Sequence, residues 1–153
     1  MQVDTTSPQE RFSELMKGDH RFHPEAYSFV FEALDFTVRS LHGDRKKESV
    51  ANQHISGPQL LDGIREYALE TFGCLTLTVF HSWGIRDSSD FGEIVFNLID
   101  HGLMGKQDTD RKEDFADGFG GAPFDDVFQV KPVIEYNRER DEWKTSYESV
   151  VYG

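Results

Sequence analysis

The stretch Leu75–Gln107, LTLTVFHSWGIRDSSDFGEIVFNLIDHGLMGKQ, decides the fold. In its second half Ile85 sits in a tight turn. Ser88 or Ser89 can cap a helix there, with Asp90 favourably placed in the first turn. Phe91, Ile94, Val95, Leu98 and Ile99 then recur on one helical face. The first half is ambiguous by itself. Thr76-Leu77-Thr78-Val79-Phe80 has the β-branched and aromatic composition of a strand, whereas Gly73 and Gly84, flanking a segment of about ten residues, suit a short helix. The residues from Ile85 to Leu103 favour the helix. A short helix, a turn, a longer helix and then Gly102-Leu103 is the order of a winged helix-turn-helix. In that frame Leu103–Gln107, a turn at Asp108-Thr109-Asp110, and Arg111–Phe115 supply the β wing.

Upstream, glycines at Gly18, Gly43, Gly73, Gly84 and Gly102 each close a segment of helical period, so five helices are expected. Ser7-Pro8-Gln9-Glu10 opens the first, whose narrow apolar face is Phe12, Leu15 and Met16. His23-Pro24-Glu25 opens the second. Tyr27, Phe31, Leu34, Val38 and Leu41 form one stripe of that helix and Phe29, Ala33 and Phe36 another, which makes it central to the core or covered by another subunit. After a polar, mobile loop at 43–55, Ser56 and Gln59 form a capping box, with Ile55 and Leu60 as the staple of the third helix. Its buried face runs through Leu60, Leu61, Ile64, Tyr67, Ala68 and Phe72.

The expected architecture is mainly α: a five-helix single domain at 1–128, a winged-helix-like half at 56–115, and a small β wing or hairpin. Residues 108–128 hold seven acidic and two basic side chains among Phe115, Phe119, Phe124 and Phe128. Such a segment can dock as a peptide in a basic, apolar groove, or its rings can anchor it on its own core. Alternation around Asn137–Asp141 makes 129–153 a terminal hairpin or a tail.

Composition narrows the function. The 153 residues carry 28 acidic and 16 basic side chains, a net charge of −12, and the longest basic run is Arg45, Lys46 and Lys47. Binding to a phosphate backbone needs clustered cations, so the charge argues against nucleic acid and leaves a basic protein as the partner it would suit. No apolar run approaches the roughly 20 residues of a membrane helix. The single cysteine, Cys74, and a start without a secretory pattern make the cytoplasm the expected compartment.

Several separated blocks carry a resemblance. They are His54-Ile55-Ser56-Gly57, Leu60-Leu61-Asp62-Gly63-Ile64-Arg65, Phe72-Gly73, Trp83-Gly84-Ile85, Asp90-Phe91-Gly92-Glu93-Ile94-Val95-Phe96 and Gly102-Leu103. Over about residues 20–128 the chain resembles a small family of uncharacterised bacterial proteins known chiefly from planctomycetes, verrucomicrobia and their relatives. The resemblance implies a helix at 74–83 and brings no activity, cofactor or catalytic residue.

Candidate chemistry is sparse. His20 and His23 lie at a spacing that metal ligands use, with His42, His54, His81 or His101 as a third, yet helix-end roles account for His23 and His101. Cys74 reads as a small hydrophobe more readily than as a nucleophile, and Asp125-Asp126 sits in a glycine-rich stretch too loose for acid–base work. There is no phosphate loop, dinucleotide fingerprint, nucleophile elbow or zinc pattern, so no cofactor or metal is expected and a metal-dependent enzyme has no positive support. A DNA-binding winged-helix regulator would present Asp90, Glu93, Asn97 and Asp100 to the groove, and three of these four repel phosphate. The same acidic face suits a non-enzymatic protein–protein interaction module, with Asp90, Glu93, Asn97 and Asp100 as the contact.

Overall fold

The computed structural model describes residues 7–43, 55–105 and 111–150. The elements are α1 (Pro8–Gly18), α2 (Pro24–His42), α3 (Gly57–Phe72), α4 (Thr76–Ser82), α5 (Ser88–Asp100), a one-turn α6 (Phe124–Phe128), and strands β1 (Val130–Asn137) and β2 (Glu142–Ser149). Short 3-10 turns lie at Gly73–Leu75, Lys112–Phe115 and Phe119–Gly121.

Local signals explain most helix boundaries. Ser7 Oγ accepts from the Glu10 amide and opens α1. His23 Nδ1 accepts from the Glu25 amide and opens α2. At α3, Gln59 N–H donates to Ser56 Oγ while Ser56 N–H donates to Gln59 Oε1, the reciprocal pair that satisfies two orphan amides. The cap of α5 is Asp87, one residue ahead of the expected Ser88 or Ser89. Ser88 is instead buried, its hydroxyl donating to the Phe115 carbonyl at 2.5 Å and accepting from the Gly118 amide at 3.2 Å. A hydroxyl that fixes a remote segment is not available to cap its own helix.

The strand-like segment is helical. Thr76 is fully buried, and its hydroxyl donates to the carbonyl of Gly73 at 2.7 Å and also lies 3.2 Å from that of Ala68, so its polar atom is satisfied inside the core. Thr76 and Phe80, one helical turn apart, both face inward; alternation would have buried Thr76, Thr78 and Phe80 together, and Thr78 is exposed. Phe80 then meets five rings, those of Phe29, Trp83, Phe91, Phe124 and Phe128, at centroid distances of 5.1–6.2 Å.

The β structure differs from the wing. Lys112–Phe115, one arm of the expected wing, is a 3-10 turn whose Phe115 is buried against Gly57 and Gly92. The expected turn at 108–110 and the end of the first arm lie outside the described residues, as do residues 44–54, which include the basic run 45–47 and most of the expected loop. The single described sheet is the terminal antiparallel hairpin, in register Val130↔Ser149 to Asn137↔Glu142. The fold is thus a mainly α single domain with a small hairpin, and the Phe-rich 115–128 segment packs on its own core.

The tightest contact in the core joins α2 and α3. A Cβ at Gly63 would overlap Thr37 Oγ1 and lie 2.8 Å from Thr37 Cβ, and that hydroxyl donates to the Ala33 carbonyl at 2.6 Å. Only a glycine lets the two helices approach so closely. At an open helix position Gly→Ala gains about 1 kcal/mol of propensity; here overpacking outweighs it. Gly63→Ala should lose about 2 kcal/mol of unfolding free energy by urea titration, and Thr37→Ala in the same chain should recover part of that loss. A gain in stability from Gly63→Ala alone would refute the close crossing.

Candidate functional site

The four residues of the acidic stripe occupy one face of α5, but the face is not free. Asp90 Oδ2 accepts from the amides of Arg86 at 2.8 Å and Asp87 at 3.2 Å, closing the start of the helix. Glu93 pairs with Lys112 at 3.1 Å and Arg21 at 3.4 Å. Asn97 Nδ2 lies within donating distance of Asp19 Oδ2 (3.0 Å) and the Tyr27 hydroxyl (3.1 Å). Asp90, Glu93 and Asn97 are half-buried; Asp100 is exposed. The sequence pattern places the stripe correctly, whereas its solvent exposure does not follow from the pattern, because the connection between α1 and α2 crosses it.

Asp19 and Arg21 make that crossing. The Asp19 carboxylate accepts from Arg21 Nη2 at 2.7 Å, from Arg21 Nε at 3.1 Å, from the Arg21 amide at 3.0 Å, and from Asn97. The charged bonds from Arg21 outweigh partial desolvation and hold the Asp19 carboxyl well below the usual carboxylate range. Burial raises the Tyr27 phenol above its ordinary value, so this hydroxyl stays a neutral partner for Asn97. Neither Asp19 nor Arg21 lies in a helical stripe, which is why periodicity passes over them.

Histidines gather more closely than spacing foretells, yet each described one here has a structural task or faces solvent. His20, His23 and His81 line one open cavity of about 460 Å³ together with Asp19, Arg21 and Trp83. His23 caps α2, His81 Nε2 lies 3.2 Å from Asp125 Oδ1, and His20 is exposed. Among the described residues no group of three or more His, Cys, Asp or Glu side chains could hold a metal ion. His42 and His101 sit at the ends of α2 and α5, His101 Nδ1 lying 2.9 Å from the Asn97 carbonyl, while His54 is outside the described residues. Cys74 is exposed in the 3-10 turn.

The surface with the clearest unpartnered character is the hairpin. Its two faces differ sharply: Pro132, Ile134, Tyr136, Trp143, Thr145 and Tyr147 share one, and Lys131, Glu135, Lys144 and Glu148 share the other. Tyr147 anchors the base, its hydroxyl lying where a Cβ at Gly73 (φ +56°) would meet it at 2.6 Å and its ring at 2.9 Å. Towards the tip the apolar face is open. Ile134 is 61% exposed, Tyr136 44% and Trp143 72%, with Tyr136 and Trp143 rings 5.1 Å apart. Leu75, 65% exposed, adds to the apolar surface in the 3-10 turn that packs against β1. The alternation of these strands is readable from the chain; that no core covers their tip is a property of the tertiary structure.

The Asp19 cluster yields a pH prediction. A carboxyl whose pKa is depressed on folding stabilises the fold fully above its unfolded pKa of about 3.9, and that contribution fades as pH falls towards the folded value. Asp19→Asn should therefore cost about 1–2 kcal/mol at pH 7, and the gap from the parent chain should narrow steadily below about pH 4. Urea titrations across pH 2–7 measure it, and a gap independent of pH would contradict the assignment. Compared with protein-family models, with curated proteins and with solved structures, the chain has no match.

Proposed function

We propose that this protein is a non-enzymatic protein–protein interaction module of the cytoplasm whose contact is the apolar face of the β-hairpin. The observation that carries the proposal is the exposure of Ile134, Tyr136 and Trp143 together at the tip of an ordered ribbon. Large aromatic side chains on a rigid projecting element are the usual anchors of protein contacts. A two-stranded ribbon is marginal in water by itself and leaves strand edges that recruit further chain.

Three further observations support the reading. The acidic face of α5 is engaged with Asp19, Arg21, Tyr27 and Lys112, so insertion of that helix into a nucleic-acid groove would first have to break those bonds. In this reading Asp90, Glu93 and Asn97 hold the scaffold, and Asp100 alone of the four faces solvent. The overall charge of −12 favours a partner that is basic or meets the chain at a neutral patch. Among the described residues no helix is long and apolar enough to cross a membrane, and an exposed thiol such as Cys74 is at home in a reducing compartment. Membership of the uncharacterised bacterial family belongs to the same proposal and rests on the spaced sequence blocks alone.

Photo-crosslinking in the native cell tests the assignment. A crosslinker placed at position 143 should give protein adducts, while one at position 100 should give few. The reverse pattern would return the contact to the acidic face of α5 and overturn the hairpin assignment.

A further inference from the structure

The geometry points to a second copy of this chain as an occupant of the hairpin, joined edge to edge through β2 in a two-fold dimer. The inference rests on the hairpin being the contact surface and names the partner of that surface.

The two edges of the ribbon are not equivalent. The Val150 amide donates to the Gln129 carbonyl at 2.9 Å, which fixes odd-numbered β1 residues as the hydrogen-bonded pairs of the ladder. Pro132, opposite Tyr147, therefore turns its nitrogen outward, and the outer edge of β1 lacks a donor there. On β2 the outward backbone groups belong to Trp143, Thr145 and Tyr147, and all three carry an N–H. Of the two strands, β2 alone keeps a donor at each of these outward positions, from Trp143 to Tyr147, for another strand.

Charge identifies the strand that fits. Val130–Ser149 contains four basic and five acidic side chains, against −12 for the whole chain, so two copies can meet at this element with little net repulsion. An antiparallel pairing of β2 with β2 of a second copy, centred on Ser146, sets Lys144 opposite Glu148 of the second copy, and by symmetry does so twice. The same register makes Thr145 and Tyr147 the hydrogen-bonded partners across the axis. Moving the centre to Thr145 would oppose Glu142 and Glu148, two like charges, so one register is favoured.

That register also finds a place for the exposed tryptophan. It sets Trp143 of the second copy opposite Ser149, on the apolar face of the sheet. Ser149 borders a cavity of about 280 Å³ whose other walls are Asp62, Arg65, Phe119, Ala122 and Val127, with no β1 residue among them. The volume falls just below the range for small-molecule sites, about 300–1,000 Å³, and suits one large side chain. An indole entering between Phe119, Ala122 and Val127 would bury the most exposed large apolar side chain among the described residues, with the Arg65 guanidinium available at its rim. The dimer is thus a four-stranded antiparallel sheet in which each hairpin tip reaches over the other copy's α3 and α6.

Sedimentation equilibrium of the full chain between about 1 and 100 μM should show a monomer–dimer equilibrium, with Trp143→Ala weakening it by at least about 30-fold, the effect of an anchor residue. Lys144→Glu and Glu148→Lys should each reduce self-association. An equimolar mixture of the two variants should restore dimer, because each copy then supplies the charge that the other requires. Each variant keeps its own internal hairpin mismatch, against Glu135 or against Lys131, whether alone or mixed, so restoration cannot come from folding. A monomer throughout that range, or a dimer that tolerates all three substitutions, would overturn the second copy as occupant. Crosslinks from position 143 to a different protein would then still support the hairpin as a contact, whereas their absence would remove that reading as well.

Discussion

The aromatic core of this fold is built around the ring of Phe80. It is fully buried and touches rings from α2, α5 and α6 as well as its neighbour Trp83. Each such pair adds about 0.5–1.5 kcal/mol beyond simple area burial, and several converge on one side chain. The short helix that carries Phe80 has little intrinsic stability, because seven residues are too few to sustain a helix in water. Tertiary contact therefore makes α4 helical, and α4 in turn fixes the positions at which the longer helices meet.

A second constraint is electrostatic and works in the opposite sense from the one the net charge suggests. An acidic chain invites the expectation of an acidic docking face, yet at α5 Asp90 and Glu93 are engaged within the molecule and Asp100 alone of its acids is exposed. Asp19 and Glu93 pair with cations, Asp90 accepts from the amides at the start of its own helix, and Arg21 bridges Asp19 and Glu93. The exposed hairpin, by contrast, is close to neutral and carries the apolar surface. Charge and contact are thus separated on this molecule: the net acid repels anionic neighbours, and the near-neutral ribbon opposes approach little.

Much of the helical architecture is readable from the chain because its signals are local. The capping box at Ser56, proline at the first position of α1 and α2 and near the start of α3, and the glycines after α2 and α3 all act within one turn of the boundary they set. Thr76–Phe80 is less legible, since its β-branched composition and its helical outcome are reconciled only by the remote carbonyl of Ala68 and by contacts with distant rings. The wing fails for the same reason: Phe115 is drawn into the space above Gly57 and Gly92, which no nearest-neighbour rule can anticipate. The acidic stripe is visible as a stripe, but Asp19 and Arg21, which cover it, lie 72 or more residues away in the chain from their partners Asn97 and Glu93. The hairpin alternation is visible too; its open tip depends on where the helices stop.

The position of Phe128 at the far end of the aromatic cluster has a consequence for how the chain is made. A nascent chain leaves the ribosome from its N-terminus, and domains complete their cores only when the last contributing residue has emerged. Here Phe80 can collect Phe29, Trp83 and Phe91 early, but its remaining side stays open to water until Phe124 and Phe128 arrive. For about forty residues of synthesis the growing chain thus carries an incompletely covered aromatic surface, at the pace of about 5–20 residues per second. The strands of the hairpin emerge only after Phe128, so the open edge of the ribbon appears later than the rings that cover Phe80.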